Sequence, residues 1–510
     1  MIEIYVFQKR KYRFLFGCLT LLFCVLACRL FYLMVISSEE LSERARDVEQ
    51  RERSIKAARG IIYDRNGVVL ADNQPVCTIS VIYSQVTEPE KVIKLLSEKL
   101  SMDEEEIRRK VEKVSSREKI KSNVPKETAD EIREANLSGV KVDEDYRRYY
   151  PYGNLASKVL GFTGSDNQGI LGLESRYDSV LKGTDGTILT LTDFQGIEIE
   201  SAAEERVEPV QGDSLYLSLD YTMQSFAQQA AEKVLKEKQA KSVSVILMNP
   251  QNGEIYAMVN VPEYDLNEPY ELLSVYESGE GSENDKLNNM WRNPLISDSY
   301  EPGSTFKIVT ATAALEEGKV SLNDTFHCPG YKIVEDRKIR CHKTQGHGTE
   351  TFKEGVMNSC NPVFMEIGAR VVARTMLEYY KKLGLYEKTG VDLPGEAGSI
   401  MHKLENIGAV ELATMSFGQS IQITPLQLLR AVSAVVNGGT LVTPHFAIRT
   451  EDSVTGEITE LTYETKTGRV TEQTSETMRS LLEAVVSEGT GKNAQVEGGP
   501  SGDYGAGSDR

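Results

Sequence analysis

An apolar run from Phe14 to Ile36 follows directly on Lys9, Arg10, Lys11 and Arg13. At about 1.5 Å per residue a helix of that length reaches roughly 34 Å, enough to cross a hydrocarbon layer of about 30 Å. The basic flank predicts that residues 1–13 stay in the cytoplasm while 14–36 span the membrane. A cleaved leader is disfavoured, because the run is long for one and no small-x-small site follows it. Arg29 interrupts the run near its outer end, where a long stem lets the charge reach the interface or a partner helix. Everything after residue 36 is then expected outside the cytoplasm. A net charge of −18 over 510 residues argues against nucleic acid as the main partner. The length allows two or three cores.

Beyond the anchor, residues 37–56 are charged and helix-prone, and read as a stalk. Arg59 to Ala71 places two short apolar runs around Asn66-Gly67, the pattern of a β-hairpin. From Glu88 to Asn136 the chain is highly charged with helical spacing, which predicts solvated helices. Glycines near 161–164 and 169–172 mark turns, and Glu174 is expected in a buried polar contact. Ser214 to Asp220 alternates, Tyr221 to Lys238 has helical periodicity, and Ser242–Met248 with Glu254–Val261 forms a second hairpin. Residues 263–299 read as polar loop. A buried helix is expected from Gln419 to Val436, started around Thr424-Pro425 and stopped at Asn437-Gly-Gly439. Another helix is expected from Glu472 to Val486.

The chemistry concentrates in Tyr300-Glu-Pro-Gly-Ser-Thr-Phe-Lys307 and the Ala/Thr-rich helical run that follows. Pro302-Gly303 turns the chain, and Ser304-x-x-Lys307 places a hydroxyl and an amine one helical turn apart on one face. Serine becomes a useful nucleophile when a neighbour takes its proton, and a partly buried lysine with a lowered pKa suits that task. A second group, Asn358-Ser-Cys-Asn-Pro362, adds the hydroxyl of Ser359 and the amide of Asn361. A bland reading has Ser304 capping a helix and Ser359–Asn361 forming a polar turn.

Together the two motifs resemble those of penicillin-binding proteins and serine β-lactamases. Their flanking residues resemble the class B, monofunctional peptidoglycan transpeptidases, and the resemblance runs from the anchor to about Val496. It implies an α+β chain: a transmembrane helix, an elongated α+β pedestal, and a transpeptidase domain with an antiparallel sheet flanked by helices. The boundaries expected are a cytoplasmic tail (1–13), the membrane helix (14–36), stalk and pedestal (37–213), the transpeptidase domain (214–496) and a Gly-rich tail (497–510). It also implies that Ser304 is acylated by the D-Ala-D-Ala end of a stem peptide, or by a β-lactam, with Lys307 as base. Ser359 would relay a proton, Asn361 would hold the substrate amide, and the Ser304 backbone N–H would serve as oxyanion donor. The acyl transfer needs no cofactor. Stem peptides, β-lactams, the membrane and a membrane glycosyltransferase are the partners implied.

The family also has a Lys-Thr-Gly on an edge strand. Lys388-Thr-Gly390 and Lys466-Thr-Gly468 both occur here, yet their surroundings mark one as part of a different loop and the other as a turn. The chain therefore reads as a transpeptidase lacking its C-terminal strands. An inactive scaffold, and a β-lactam sensor or β-lactamase, are the alternative functions; the long pedestal weighs against the latter pair.

Cys18, Cys24 and Cys28 lie in the membrane run, where a small apolar side chain is a sufficient account. Cys328, Cys341 and Cys360 lie between or within the motifs, alongside three of the five histidines, His327, His342 and His347. Three readings stay open: a structural zinc held by Cys328, Cys341, His347 and Cys360, a Cys341–Cys360 disulfide, and free thiols. The resemblance bears on the first, since some class B relatives hold zinc in this region with Asp, His and Cys ligands.

Overall fold

The computed structural model describes residues 2–36, 50–115, 117–191 and 205–495, so most of the expected stalk and the whole 497–510 tail lie outside the described residues. Two compact units interleave along the chain. One comprises 1–57, 74–147 and 184–210; the other comprises 58–73, 148–183 and 211–510. Two segments expected in the pedestal, 58–73 and 148–183, thus pack with the larger unit.

In the first unit the N-terminal helix Ile2–Phe31 passes into a wider turn at Tyr32–Ile36, and its apolar span covers Phe14–Val35. Strand Gln50–Ile55 pairs antiparallel with Gly186–Leu191, which also pairs with Glu205–Val207. The helix expected there is overridden by this long-range pairing, since strand formation depends on the neighbouring strand more than on local preference. The second half of strand Val69–Val81 pairs with Glu118–Pro125. Helices Pro89–Leu100, Glu104–Val111 and Lys126–Glu134 close over Ile79, Leu96, Ile107, Ile120 and Ile132. These helices match the charge-spaced reading. Strand Glu118–Pro125 was hidden because only Ile120 and Val124 of it are buried.

In the larger unit, Ile62–Tyr63 pairs antiparallel with the start of Val69–Val81, forming the expected hairpin, and parallel with Ser214–Leu217. Asp64 closes the turn: its Oδ1 accepts from the backbone N–H groups of Asn66 and Val68. Ser214–Leu217 continues the sheet to Ala447–Glu451 and then Ile458–Glu460. Behind the hairpin, fully buried Arg59 donates to Glu174 (2.5 Å) and Asp178 (2.7 Å), while Arg148 reaches the other Glu174 oxygen at 2.6 Å. Glu174 therefore makes the buried polar contact expected of it.

Helix Tyr221–Lys238, capped by Asp220, lies against the hairpin Val243–Met248/Ile255–Val261 through Ala231, Val259 and Val261. Among the described residues the outer edge of Val243–Met248 has no strand partner. Leu247 on that strand, and Phe226 and Val234 on the helix, are exposed. Residues 263–299 are not plain loop. They hold short helices at Ser274–Glu277, Glu283–Trp291 and Pro294–Ser297, the middle one started by a Ser282/Asp285 capping box. The late buried helix is Pro425–Val436, with a Thr424/Gln427 capping box. It begins later than expected because Gln422 and Ile423 instead bridge to Ile400 and Tyr300 as extended chain. The largest core surrounds helix Lys307–Glu316, whose Val309, Ala311, Ala313 and Ala314 are fully buried.

Candidate active site

Ser304 sits on a 3₁₀ turn, Gly303–Phe306, and the α-helix starts only at Lys307. The sequence reading stood Ser304 at the start of the helix, three residues before the α-helix in fact begins. The tighter turn matters, because residues i and i+3 eclipse in a 3₁₀ helix. Lys307 Nζ consequently lies 3.2 Å from Ser304 Oγ. The turn is clamped from outside: Gly303 N–H donates to Gly418 O at 2.9 Å. A Cβ on Gly418 would fall 2.1 Å from the Gly303 oxygen, so only glycine fits there. Phe306, fully buried and edge-on to Tyr380, fixes the turn from below.

The second motif links two helices. Phe352–Met357 ends at Asn358, and Asn361–Val371 begins after the Cys360 cap with Pro362 in its first turn. Ser359 takes a left-handed backbone (φ 51°), an uncommon state for a residue with a side chain. This conformation aims two Ser359 oxygens at the same lysine. Lys307 Nζ meets Ser359 O at 2.7 Å, Ser359 Oγ at 2.9 Å and Asn361 Oδ1 at 2.8 Å. The four residues expected to act together converge on one nitrogen. Ser304 is exposed and Lys307 is buried. Burial pushes the Lys307 amine down to about 8, against a smaller opposing pull from the Cys360 and Cys341 thiols. Asn361 Nδ2 donates to the Arg340 carbonyl at 3.2 Å, a contact with no sequence signal.

Beside this group Cys328, Cys341, His347 and Cys360 bring their donor atoms within 4.8 Å of one another. Strand Thr325–Cys328 pairs with Gly348–Thr351, setting Cys328 opposite Gly348 and next to His347. Cys341 Sγ is 3.7 Å from His347 Nδ1. The Cys341–Cys360 disulfide weighed above is not formed: both sulfurs are unbridged and converge with two further donors rather than as a pair. His327 instead faces Thr349 on the exposed side of the strand pair. Sequence reasoning missed Glu350. One of its oxygens accepts from Asn358 Nδ2 at 3.0 Å; the other is buried without a hydrogen-bond partner, 3.9 Å from His347 Nδ1. An orphaned buried carboxylate oxygen beside three thiols and an imidazole suits a cation, so the residues fit a tetrahedral zinc.

Neither Lys-Thr-Gly triplet joins the cluster. Thr389 donates its N–H and hydroxyl to Glu396 Oε1, both at 2.6 Å, as a loop staple. Lys466 pairs with Glu387 at 3.0 Å while its backbone bridges to Leu441.

Residues 243–504 match the penicillin-binding protein transpeptidase domain, and residues 54–217 match the penicillin-binding protein dimerisation domain. Stage V sporulation protein D of Bacillus subtilis is 40% identical over 489 residues, which is 95% of this chain and 73% of that protein. The chain belongs to the class B penicillin-binding proteins. Other members include the peptidoglycan D,D-transpeptidase MrdA of Acinetobacter baumannii, 27% identical over 96% of this chain and 77% of its own length. Among solved structures, penicillin-binding protein 3 of Mycobacterium tuberculosis complexed with aztreonam superposes with a TM-score of 0.63. It is 25% identical and covers 87% of this chain and 80% of its own. Penicillin-binding protein 2X of Streptococcus thermophilus, at 24% identity, shares the fold with a TM-score of 0.70, over 85% of this chain and 66% of its own.

Proposed function

We propose that this chain is a membrane-anchored peptidoglycan D,D-transpeptidase that forms an acyl-enzyme on Ser304. The observation that carries the reading is the environment of Lys307 Nζ. In the neutral amine, two N–H groups donate to Ser359 O and Asn361 Oδ1, which can only accept. The lone pair then faces the Ser304 hydroxyl at 3.2 Å. Ser304 passes its proton to that nitrogen as Oγ bonds to the penultimate D-Ala carbonyl carbon. Ser359 Oγ, 2.9 Å from the same nitrogen, relays the proton to the leaving D-Ala nitrogen as the C–N bond breaks. An amine from a neighbouring strand then attacks the ester and returns the proton by the reverse path. A β-lactam enters the first half of this sequence and stays.

The apolar helix supports membrane anchoring, and Lys9, Arg10, Lys11 and Arg13 on its N-terminal side support a catalytic unit outside the cytoplasm. A membrane glycosyltransferase is the partner that the family suggests. Labelling membranes with a fluorescent penicillin, beside a Ser304→Ala control, tests the reading. A Ser304-dependent band is expected; inserted protein without one overturns it.

A structural zinc belongs to the same reading. Cys328, Cys341, His347 and Cys360 would hold it, and its chemistry would be to cross-link the strand pair, the hairpin and the second motif. Metal analysis of chain purified without chelator is expected to find about one zinc per chain, lost on Cys328→Ser. No zinc and three titratable thiols outside the membrane run, beyond Cys77, would remove the idea.

A further inference from the structure

The strands Tyr331–Val334 and Arg337–Arg340 form an antiparallel hairpin between the two catalytic motifs, in register Tyr331 opposite Arg340 and Ile333 opposite Lys338. Directly opposed residues share a face, and alternate pairs take opposite faces. Val334 and Ile339 pack on the large core. Tyr331, Ile333, Lys338 and Arg340 therefore form the outward face. Ile333 is 64% exposed, and Lys338 Nζ rests 3.7 Å over the Tyr331 ring.

The charges on this hairpin are ordered. Glu335 and Asp336 occupy the turn at its tip, beyond the Val334–Arg337 pair. Arg340 sits at its base, where the backbone carbonyl accepts from Asn361 Nδ2. Exposed Lys343 follows shortly after. Lys332, on the inner face, pairs with Glu366. Among the described residues no carboxylate lies within ion-pair distance of Lys338, Arg340 or Lys343. Cations without carboxylate partners, beside a catalytic amide, on a chain of net charge −18, would concentrate an anionic ligand where the rest of the surface repels it.

We propose that this outward face binds the anionic upstream part of the peptide whose C-terminal end reacts at Ser304. A peptide held with its reactive carbonyl at Ser304 and its amide at Asn361 must run onward over a border of that site, and the Arg340 carbonyl is one such border. Arg340 offers a carboxylate a planar, two-pronged donor. Lys338 adds a second charge held in place by the ring beneath it. Ile333 and Tyr331 supply apolar area for the peptide's aliphatic segments. The inference rests on the transpeptidase reading and adds which peptide chemistry that site prefers.

The test is equilibrium binding of two D-Ala-D-Ala-terminated pentapeptides to the detergent-solubilised full chain. One carries free side-chain carboxylates and the other is fully side-chain amidated. The free-acid peptide is expected to bind about fivefold more tightly, the scale of one or two well-placed ion pairs. The preference should shrink with added salt and vanish in the Lys338→Gln/Arg340→Gln double variant. Equal affinities, or a preference that survives the double variant, overturn the proposal. So does equal binding of an unrelated peptide of the same charge without the D-Ala-D-Ala end. β-Lactam acylation of the same samples reads Ser304 separately. Acylation without charge preference refutes only the hairpin surface; charge preference without acylation refutes the transpeptidase reading.

Discussion

Four oxygens surround Lys307 Nζ within 3.2 Å, one more than an ammonium has hydrogens. A neutral amine keeps two N–H groups for the Ser359 carbonyl and the Asn361 amide oxygen, which can only accept, and leaves one lone pair for which the hydroxyls of Ser304 and Ser359 compete. With its pKa pushed down to about 8 by burial, about a tenth of the lysine is already neutral at pH 7. The sign is direct: the reactive neutral form grows as pH rises through about 8. Acylation by a β-lactam should therefore accelerate up to about tenfold per pH unit below that point and level off above it. Rates measured from pH 6 to 9.5 check this; a flat or falling profile would remove Lys307 as the base. The pairing of Ser304 with Lys307 was legible from their spacing once Ser359 and Asn361 stood beside it. Glu350 was not, since a glutamate in an alternating strand ordinarily faces solvent. The Arg340 carbonyl was equally silent, because a backbone oxygen leaves no mark in sequence.

At the scale of elements, the three-residue link Asn358–Cys360 between helices Phe352–Met357 and Asn361–Val371 carries the site. It turns the corner by placing Ser359 at φ 51°, at a cost of about 1 kcal/mol for a residue with a Cβ. Ser359→Gly and Ser359→Ala both remove the hydroxyl, but only glycine relieves the backbone. Both variants should acylate slowly, and the glycine variant should be the more stable of the two by up to about 1 kcal/mol. Denaturant melts of the pair measure this, and equal midpoints would show that the link is unstrained. Elements with strong local signals were readable: the Asn66-Gly67 hairpin, helix Tyr221–Lys238 and the Thr424-Pro425 helix start. Elements set by distant partners were not. Strand Gln50–Ile55 follows from its pairing with Gly186–Leu191, and the extended stretch before Pro425 follows from its bridges to Tyr300 and Ile400.

For the whole molecule, the interleaved order of the units places Arg59 in the same core as Glu174, 115 residues later. Both side chains are fully buried. Neutralising Glu174 leaves Arg59 with Asp178 alone and takes from buried Arg148 the carboxylate it pairs with, so Glu174→Gln should cost about 3–5 kcal/mol. Replacing Arg59, Arg148 and Glu174 together by apolar residues of similar volume should recover most of that loss. Urea unfolding of the two proteins compares them, and a single variant as stable as the parent would show that water reaches the pair. The division of the chain was the least legible feature, because a unit assembled from three separated segments has no boundary in composition.

That order has a consequence in time. A chain made at about 5–20 residues per second delivers Glu174 roughly 6–23 s after Arg59. Throughout that interval the opening hairpin has neither its parallel neighbour Ser214–Leu217 nor its counter-charge. Its guanidinium waits in water until Glu174 arrives. The larger unit is committed to closing late, and the proteins that meet the chain as it emerges meet its first segment unfinished.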